Sequence, residues 1–247
     1  MVKEHSLILN GLFFIVGLIF YLLEVLVPER QINRKIEFKK DILAFFVLIL
    51  SGVIISAPLI TFFNKYSLPH HNFFKDLNPI VKVLLATLVL DYLNYWIHFF
   101  MHKYNWYWKA HVFHHKVEQL YWFSGLRASF THYASFIISR SAVGILLFHL
   151  NSFELLIYLV FGYTTNFYQH TNARVGHRWI EWILVTPRIH RLHHSTQGRR
   201  MKNLGTIFSF WDRLHGTWLD PEQYNKEYEL GVKPNDKVIN LKELVGI

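Results

Sequence analysis

Apolar residues in this chain form runs long enough to cross a bilayer, which requires about 20 residues of helix. Five runs are present: residues 7–23, 42–63, 79–101, 133–150 and 153–169. The first two hold no ionised side chain, whereas the third contains Lys82, Asp91 and His98. The last two predict a helical hairpin that turns at residues 151–152. The pattern predicts an all-α integral membrane protein with about four to five membrane-embedded helices.

The distribution of Lys and Arg orients these helices, because cytoplasmic loops retain more of them. Residues 28–41 hold five Lys or Arg and residues 64–78 hold two. We therefore expect residues 28–41 to be cytoplasmic and the run at 7–23 to remain as an anchor. The stretch from Arg174 to Arg213 then also lies in the cytoplasm. This topology fits a bacterial inner membrane or the endoplasmic reticulum.

No internal repeat, low-complexity run or Gly/Ser linker divides the 247 residues. We expect a single domain over 1–247, with a catalytic region at about 91–218 and a polar tail at 220–247. The chain has no cysteine, which excludes disulfides, thiolate zinc sites and cysteine nucleophiles. Its net charge is +9 and 52% of its residues are hydrophobic. The basic surface is therefore expected to meet anionic lipid rather than nucleic acid.

Histidines supply the candidate chemistry. Eight of the 16 form three clusters: His98 and His102; His111, His114 and His115; His190, His193 and His194. Residues three and four apart share one helix face, so we expect each cluster to aim its imidazoles toward a single point. Imidazole nitrogen suits iron, zinc, copper or nickel, and eight ligands exceed the four to six positions of one ion. The clusters therefore predict two metal ions, all on the cytoplasmic face, and His170 is a ninth candidate ligand.

Asp91 lies on one stripe of the third helix with Tyr95, His98 and His102. An ionisable residue within a span is costly without an interior partner. We expect Asp91 to accept the free ring N–H of a ligand histidine, with a pair to Lys82 or Arg140 as the alternative.

Two further side chains are left open. His132 is a weaker ligand candidate. Glu118 shares the helical face of His111, and a solvated surface position is favoured for it. The other histidines are expected to have structural roles: His5, His70, His71, His149, His177 and His215.

The three clusters read H-x-x-x-H, H-x-x-H-H and H-x-x-H-H, in that order. They resemble the histidine boxes of the fatty acid hydroxylase superfamily, which includes sterol desaturases, C4-methylsterol oxidases and alkylglycerol monooxygenase. Residues 91–98 resemble the first-box helix of that family and residues 186–194 resemble the third box. Residues 203–205 together with residues 211–217 resemble its closing segment. Residues 126–129, Leu-Arg-Ala-Ser, are closest to the alkylglycerol monooxygenase version, which makes an ether-lipid or glycerolipid substrate conceivable.

The resemblance implies a membrane di-iron oxygenase that uses O2 and two electrons to hydroxylate or desaturate a lipid such as a fatty acyl, sterol or alkylglycerol chain. Zinc often displaces iron from such sites on purification. The implied supporting residues are Asp91 and Asn166. The electron donor is expected to be separate, of cytochrome b5, ferredoxin or pterin type. The implied metal ligands are His98, His102, His111, His114, His115, His170, His190, His193 and His194.

Two other functions use the same residue types. A zinc-dependent membrane lipid hydrolase could lower the pKa of a bound water with imidazole ligands, although no H-E-x-x-H motif supplies a base. A non-catalytic metal-binding or transport protein would place its ligands near mid-membrane. The expected gathering of the clusters at one membrane face argues against transport.

Overall fold

The computed structural model describes residues 2–66, 73–196, 201–224, 228–232 and 240–247, without the side chains of 2–6 and 63–66. His70 and His71 lie outside these ranges, as does the side chain of His5. Regular structure in the described ranges is helical, joined by three isolated β-bridges. The α-helices are α1 (Val2–Leu26), α2 (Lys35–Ser51), α3 (Ala57–Tyr66), α4 (Pro79–Lys103), α5 (Asn105–His115), α6 (Phe130–Ser141), α7 (Ser152–His170), α8 (Pro187–His193), α9 (Phe210–Leu214) and α10 (Leu241–Val245).

Four helical stretches are long and apolar enough to cross a membrane: Leu7–Leu26, Lys35–Phe62, Pro79–Lys103 and Phe130–Leu147. The second joins α2 to α3 through a π-helical turn at Gly52–Ser56, and the fourth extends α6 through another at Ala142–Leu147. The fifth apolar run of the sequence forms α7, which packs against α1, α4 and α8. The predicted all-helical membrane architecture is therefore confirmed.

Two spans extend beyond their apolar runs because the added charges are buried with partners. Glu24, near the end of α1, accepts hydrogen bonds from the backbone nitrogens of Trp122 and Asn172 at 2.7 and 2.8 Å. Glu37 and Asp41, in the first two turns of α2, both pair with Arg127. A satisfied carboxylate at the end of a span is far less costly than an isolated one. Hydropathy alone therefore ends α1 a few residues too early and begins α2 several residues too late.

The hairpin of α6 and α7 turns where the sequence predicts it. Asn151 caps α7, its side chain accepting from the nitrogens of Phe153 and Glu154. The Glu154 carboxylate accepts in return from the Asn151 nitrogen at 2.8 Å, which completes a capping box. Glu154 also pairs with Lys82 of α4 at 2.9 Å, which ties the turn to the neighbouring span.

The opposite end of the bundle carries a layer of short helices built from α5, α8, α9 and the segments between them. α5 packs against α4 and α8 packs against α7. The chain terminus returns to this layer, where Glu243 of α10 pairs with Lys116 at 2.5 Å. Gly246 lies directly against Ser129, and any side chain there would collide with it. Two described parts of the predicted polar tail, residues 228–232 and 240–247, thus contact the histidine-bearing layer.

Candidate metal centre

The nine predicted ligand histidines converge into two groups. Within each group the candidate ligand nitrogens all lie within 4.8 Å of one another. None of the nine residues is more than 5% exposed. The five-histidine group contains His98, His102, His111, His115 and His193. The four-histidine group contains His114, His170, His190 and His194.

Helical geometry divides two of the sequence clusters between the groups. At about 100° per residue, positions four apart point nearly the same way, whereas adjacent positions diverge. His111 and His115 therefore enter the five-histidine group while His114 turns to the other. In α8, His190 and His194 enter the four-histidine group while His193 turns away. The expectation that each cluster aims at a single point was wrong, because two of them serve both groups.

The four-histidine group forms a closed ring of Nε2 atoms. His114 Nε2 lies 3.3 Å from that of His170 and 3.1 Å from that of His194. His190 Nε2 lies 3.0 Å from His170 and 3.1 Å from His194. Two nitrogen ligands at about 2.0–2.1 Å from one ion lie about 3 Å apart. The observed spacing is therefore that of imidazoles sharing an ion.

The five-histidine group has the same spacing. His98 Nε2 lies 2.9 Å from His111 Nε2 and 3.1 Å from His102 Nε2. His115 Nε2 lies 3.1 Å from His111 Nε2. The rings of His98 and His193 have centroids 4.8 Å apart, which brings α8 against α4.

Hydrogen bonds at the opposite ring nitrogens fix the tautomers. Four Nδ1 atoms lie 2.8 Å from a backbone carbonyl oxygen, which can only accept, so each Nδ1 carries the proton. Each Nε2 of these four rings then presents a lone pair. The four pairs are His98 with Leu204, His114 with Arg127, His170 with Asn166 and His193 with Lys202.

The converging Nε2 atoms cannot satisfy one another. His114 and His170 both present lone pairs at 3.3 Å, an arrangement that repels unless a cation lies between them. A proton on one of the rings does not fill this role. Burial, and after it the neighbouring imidazoles, lowers the pKa of His194 well below its usual value. Burial likewise lowers the pKa of His193 to about 4. Neutral, buried nitrogens aimed at one point are the donor set of a metal ion.

Asp212 positions part of the five-histidine group, a role that the sequence reasoning missed. Its carboxylate accepts from the backbone nitrogens of Leu204 at 2.6 Å and Gly205 at 2.9 Å, and from the Thr217 hydroxyl at 2.7 Å. Leu204 in turn offers its carbonyl to His98. The available signal was an acidic residue among the aromatic residues of the closing segment, in Phe210-Trp211-Asp212.

Asp91 does not contact a ligand histidine, and that expectation was wrong. Its carboxylate accepts from the Thr206 hydroxyl at 2.5 Å, the Phe208 nitrogen at 2.8 Å and Trp211 Nε1 at 3.0 Å. The alternative pairing with Lys82 or Arg140 is also wrong, because Lys82 pairs with Glu154 and Arg140 forms no ion pair within the described ranges. Asp91 shares a stripe with His98 but lies seven residues away, about 10 Å along the axis. It anchors the closing segment that reaches the site.

Arg127 supports the four-histidine group through its backbone carbonyl. The sequence reasoning also missed the ion pairs of its side chain. The fully buried guanidinium donates to Asp41 at 2.7 Å and to Glu37 at 2.7 Å. The carbonyl of the same residue accepts from His114. Tyr121 adds a hydrogen bond to Asp41 at 2.6 Å. Two carboxylates four residues apart at the start of an apolar helix were the signal for this network.

Asn166 lies beside the centre, as expected, with two separate contacts. Its carbonyl accepts from His170 Nδ1, a role that any residue could fill. Its side-chain amide donates to the carbonyl of Gly125 at 3.0 Å. A Cβ at Gly125 would lie 2.8 Å from the His170 ring. The amide therefore holds the glycine backbone against the ligand.

The two side chains left open lie outside both groups. His132 Nδ1 lies 2.9 Å from His111 Nδ1. His132 therefore orients the candidate ligand His111 through the ring nitrogen that faces away from the group. The Glu118 side chain is exposed, as favoured, while its backbone nitrogen donates to Glu37. Among the remaining described histidines, His177 is exposed and His215 stacks on Tyr95. The His149 carbonyl accepts from Lys82 at the far end of the bundle.

Comparison with known proteins bears on this geometry. The family model described as fatty acid hydroxylase matches residues 83–217, which is more than half of the chain. The matched range includes all nine histidines of the two groups. Similar relatives include an alkylglycerol monooxygenase of Danio rerio, 33% identical over 54% of this chain and 30% of the relative. The ornithine lipid hydroxylase OlsE of Rhizobium tropici is 28% identical over 62% of this chain and 46% of that protein.

A third relative, methylsterol monooxygenase 1-3 of Arabidopsis thaliana, is 26% identical over 76% of this chain and 68% of that protein. The chain spans less than half the length of the first two relatives. No solved structure matches it at a significant level. The family match covers both histidine groups and the Asp91 and Asp212 contacts that support one of them, whereas Glu37 and Asp41, the ion-pair partners of Arg127, lie outside it. This chain belongs to the fatty acid hydroxylase family.

Proposed function

We propose that this protein is a membrane-bound di-iron oxygenase that hydroxylates or desaturates a lipid. The observation that carries the proposal is the division of nine buried imidazoles into two convergent groups within the family match. Two groups of four and five nitrogens suit a pair of ions better than one. The named relatives are monooxygenases and hydroxylases of alkylglycerols, an ornithine lipid and methylsterols, which supports a lipid substrate.

The residues of both groups fit iron, which would supply the redox chemistry that no side chain provides for an alkyl C–H bond. Zinc would occupy the same nitrogens in purified protein. The protein itself contributes neutral ligands whose tautomers are fixed by the carbonyls of Leu204, Arg127, Asn166 and Lys202. It also excludes water, since every ligand ring is buried.

The substrate and electron supply follow from the position of the centre at one end of the membrane bundle. A lipid chain enters from the bilayer, while electrons come from a separate cytochrome b5, ferredoxin or pterin-type donor. The charge distribution of the loops supports a cytoplasmic position for this end. The membrane would be a bacterial inner membrane or the endoplasmic reticulum.

Both rival functions fit the site less well. A zinc lipid hydrolase needs a general base beside the metal, and in the described ranges both ligand groups consist of histidine alone. A transporter would distribute its ligands along a path through the bilayer. Here the ligands gather at one end, on α5, α8 and the adjoining ends of α4 and α7.

The test is isotope incorporation into membrane lipids. Membranes containing the protein, a reductant and ¹⁸O2 are compared with membranes that lack the protein, by lipid mass spectrometry. We expect a lipid that gains one ¹⁸O, or one that loses two hydrogens, only where the protein is present. Product formation in the absence of O2 would reject the oxygenase in favour of a hydrolase.

A further inference from the structure

α6 carries an arginine in the middle of a candidate membrane span. Arg140 lies ten residues from Phe130 and seven from Leu147, so about 10–15 Å of helix separates it from either end of the span. The span Phe130–Leu147 is otherwise apolar enough to cross a bilayer. A cation at this depth is costly unless it faces the protein interior and has a partner there. The group that pairs with Arg140 therefore bears on the function of the protein.

Arg140 points toward α7. A Cβ placed at Gly162 would lie 3.8 Å from its terminal nitrogen, so no side chain separates the guanidinium from the α7 backbone. Tyr158, one turn away on α7, interacts with it electrostatically. Within the described ranges Arg140 nevertheless forms neither a hydrogen bond nor an ion pair. Arg140 is half-buried. The buried basic side chains Lys82 and Arg127 differ from it, since Lys82 pairs with Glu154 and Arg127 with two carboxylates.

A second polar group beside Arg140 also lacks a partner. Tyr158 is only 3% exposed, and its hydroxyl forms no hydrogen bond within the described part of the chain. Its ring packs against Val83 and Leu90 of α4 and Val143 after α6. The buried hydroxyl of Thr87, on the same stripe of α4, is likewise without a partner among the described residues. Buried polar groups normally have partners, so these atoms point to a ligand with acceptor oxygens.

We propose that Arg140 and Tyr158 bind the carboxylate or phosphate of the lipid that the enzyme oxidises. A guanidinium pairs with either oxyanion through two parallel hydrogen bonds, and the phenol donates a third. The inference rests on the proposed function, because it takes the bound lipid to be the substrate of the histidine centre. The bound oxyanion lies about 12 Å along α6 from His132. His132 contacts the ligand His111. The alkyl chain then runs along α6 toward the histidines, and the oxidised carbon is remote from the anionic group.

The test measures equilibrium binding to the purified, metal-loaded full chain in detergent without O2. Three probes of equal chain length are used: palmitate, hexadecyl phosphate and hexadecanol. We expect at least one anionic probe to bind about tenfold or more tightly than hexadecanol, and the stronger of the two identifies the oxyanion. Arg140→Met should abolish this preference and leave hexadecanol binding unchanged. Tyr158→Phe should reduce the preference severalfold.

Arg178→Met is the matched control, since Arg178 is exposed and pairs with Glu222 at 3.0 Å. It makes the same charge change and should keep the preference. Equal affinity of the wild type for all three probes would overturn the inference, as would a preference that survives Arg140→Met. Loss of hexadecanol binding in Arg140→Met would assign the residue a structural role instead. A preference without any ¹⁸O-labelled or desaturated product would refute the proposed function while leaving the anion site intact.

Discussion

The two histidine groups share helices but are held by different parts of the chain. The five-histidine group depends on the closing segment, because Leu204 and Lys202 supply the carbonyls that orient His98 and His193. The four-histidine group depends on the membrane bundle, because Arg127 and Asn166 supply the carbonyls that orient His114 and His170.

This difference separates two sets of supporting residues. Asp91 and Asp212 act on the closing segment and through it on one group. Glu37 and Asp41 act through Arg127 on the other. Changes behind each group should therefore weaken one ion site and spare its neighbour. The groups also differ in number, so the loss of one imidazole should be more serious where only four are present.

Removing a ligand should give the largest effect and the sharpest contrast. His114→Ala leaves three imidazoles in its group, whereas His111→Ala leaves four in the other. We expect His114→Ala to bind one metal ion per chain in place of two. Its activity should fall by more than the about 100-fold reached by changes behind the ligands. His111→Ala should retain more of its ion, as measured by plasma mass spectrometry of purified protein.

His177→Ala is the matched control, because this histidine is exposed and belongs to neither group. It should keep two ions and full activity. Equal metal loss from His111→Ala and His114→Ala would show that the number of imidazoles does not set the stability of each site. Equal losses in His177→Ala would contradict the assignment of the groups themselves.

Asp212→Asn should weaken the five-histidine site selectively. The two carboxylate oxygens accept from Leu204 and Gly205, so an amide in either orientation turns its NH2 toward a backbone N–H. The displaced Leu204 carbonyl then orients His98 less well. We expect metal affinity at this site to fall by about 10–100-fold. Titration with a chelator should release one ion early and the second at the wild-type concentration.

The control is Asp220→Asn, a substitution at a nearby acid that caps the turn Pro221–Gln223 through the Glu222 nitrogen. Asparagine caps as well as aspartate, so both ions should be held normally. Simultaneous early release of both ions from Asp212→Asn would mean that the two groups are not supported separately.

The convergence of the histidines could be predicted in part, because imidazoles four residues apart lie on one helix face and each of the three clusters contains such a pair. All nine predicted histidines lie in the two groups. The apolar runs likewise predicted the spans, since a bilayer imposes a minimum length on a helix. The turn at residues 151–152 followed from the polar pair that separates two apolar runs.

The supports of the site could not be predicted because they are contacts between distant parts of the chain. Arg127 meets Glu37 from 90 positions away, and Thr206 meets Asp91 from 115. No local sequence periodicity predicts such a long-range contact. The early estimates of the ends of α1 and α2 failed for the same reason, since Glu24, Glu37 and Asp41 find their partners only in the folded protein.

Glu37→Gln should give the smallest effect, confined to the four-histidine group. The change removes one of two charges facing Arg127 while Asp41 still holds the guanidinium at 2.7 Å. We expect the free energy of unfolding to fall by about 1.5–3 kcal/mol, the usual contribution of a hydrogen bond to a charged group. Metal affinity at this group should fall by less than about tenfold, because the effect reaches His114 only through the Arg127 carbonyl.

Glu118→Gln makes the same chemical change on an exposed side chain whose backbone nitrogen donates to Glu37. It should alter neither thermal stability nor metal content. If Glu37→Gln instead released the ion of the five-histidine group, Arg127 would support the whole histidine layer rather than one side of it. Retention of both ions at normal affinity together with the lower stability would confine the Arg127 network to folding. Loss of metal affinity at the four-histidine group alone would show that the membrane helix α2 sets the position of the candidate ligand His114 on α5.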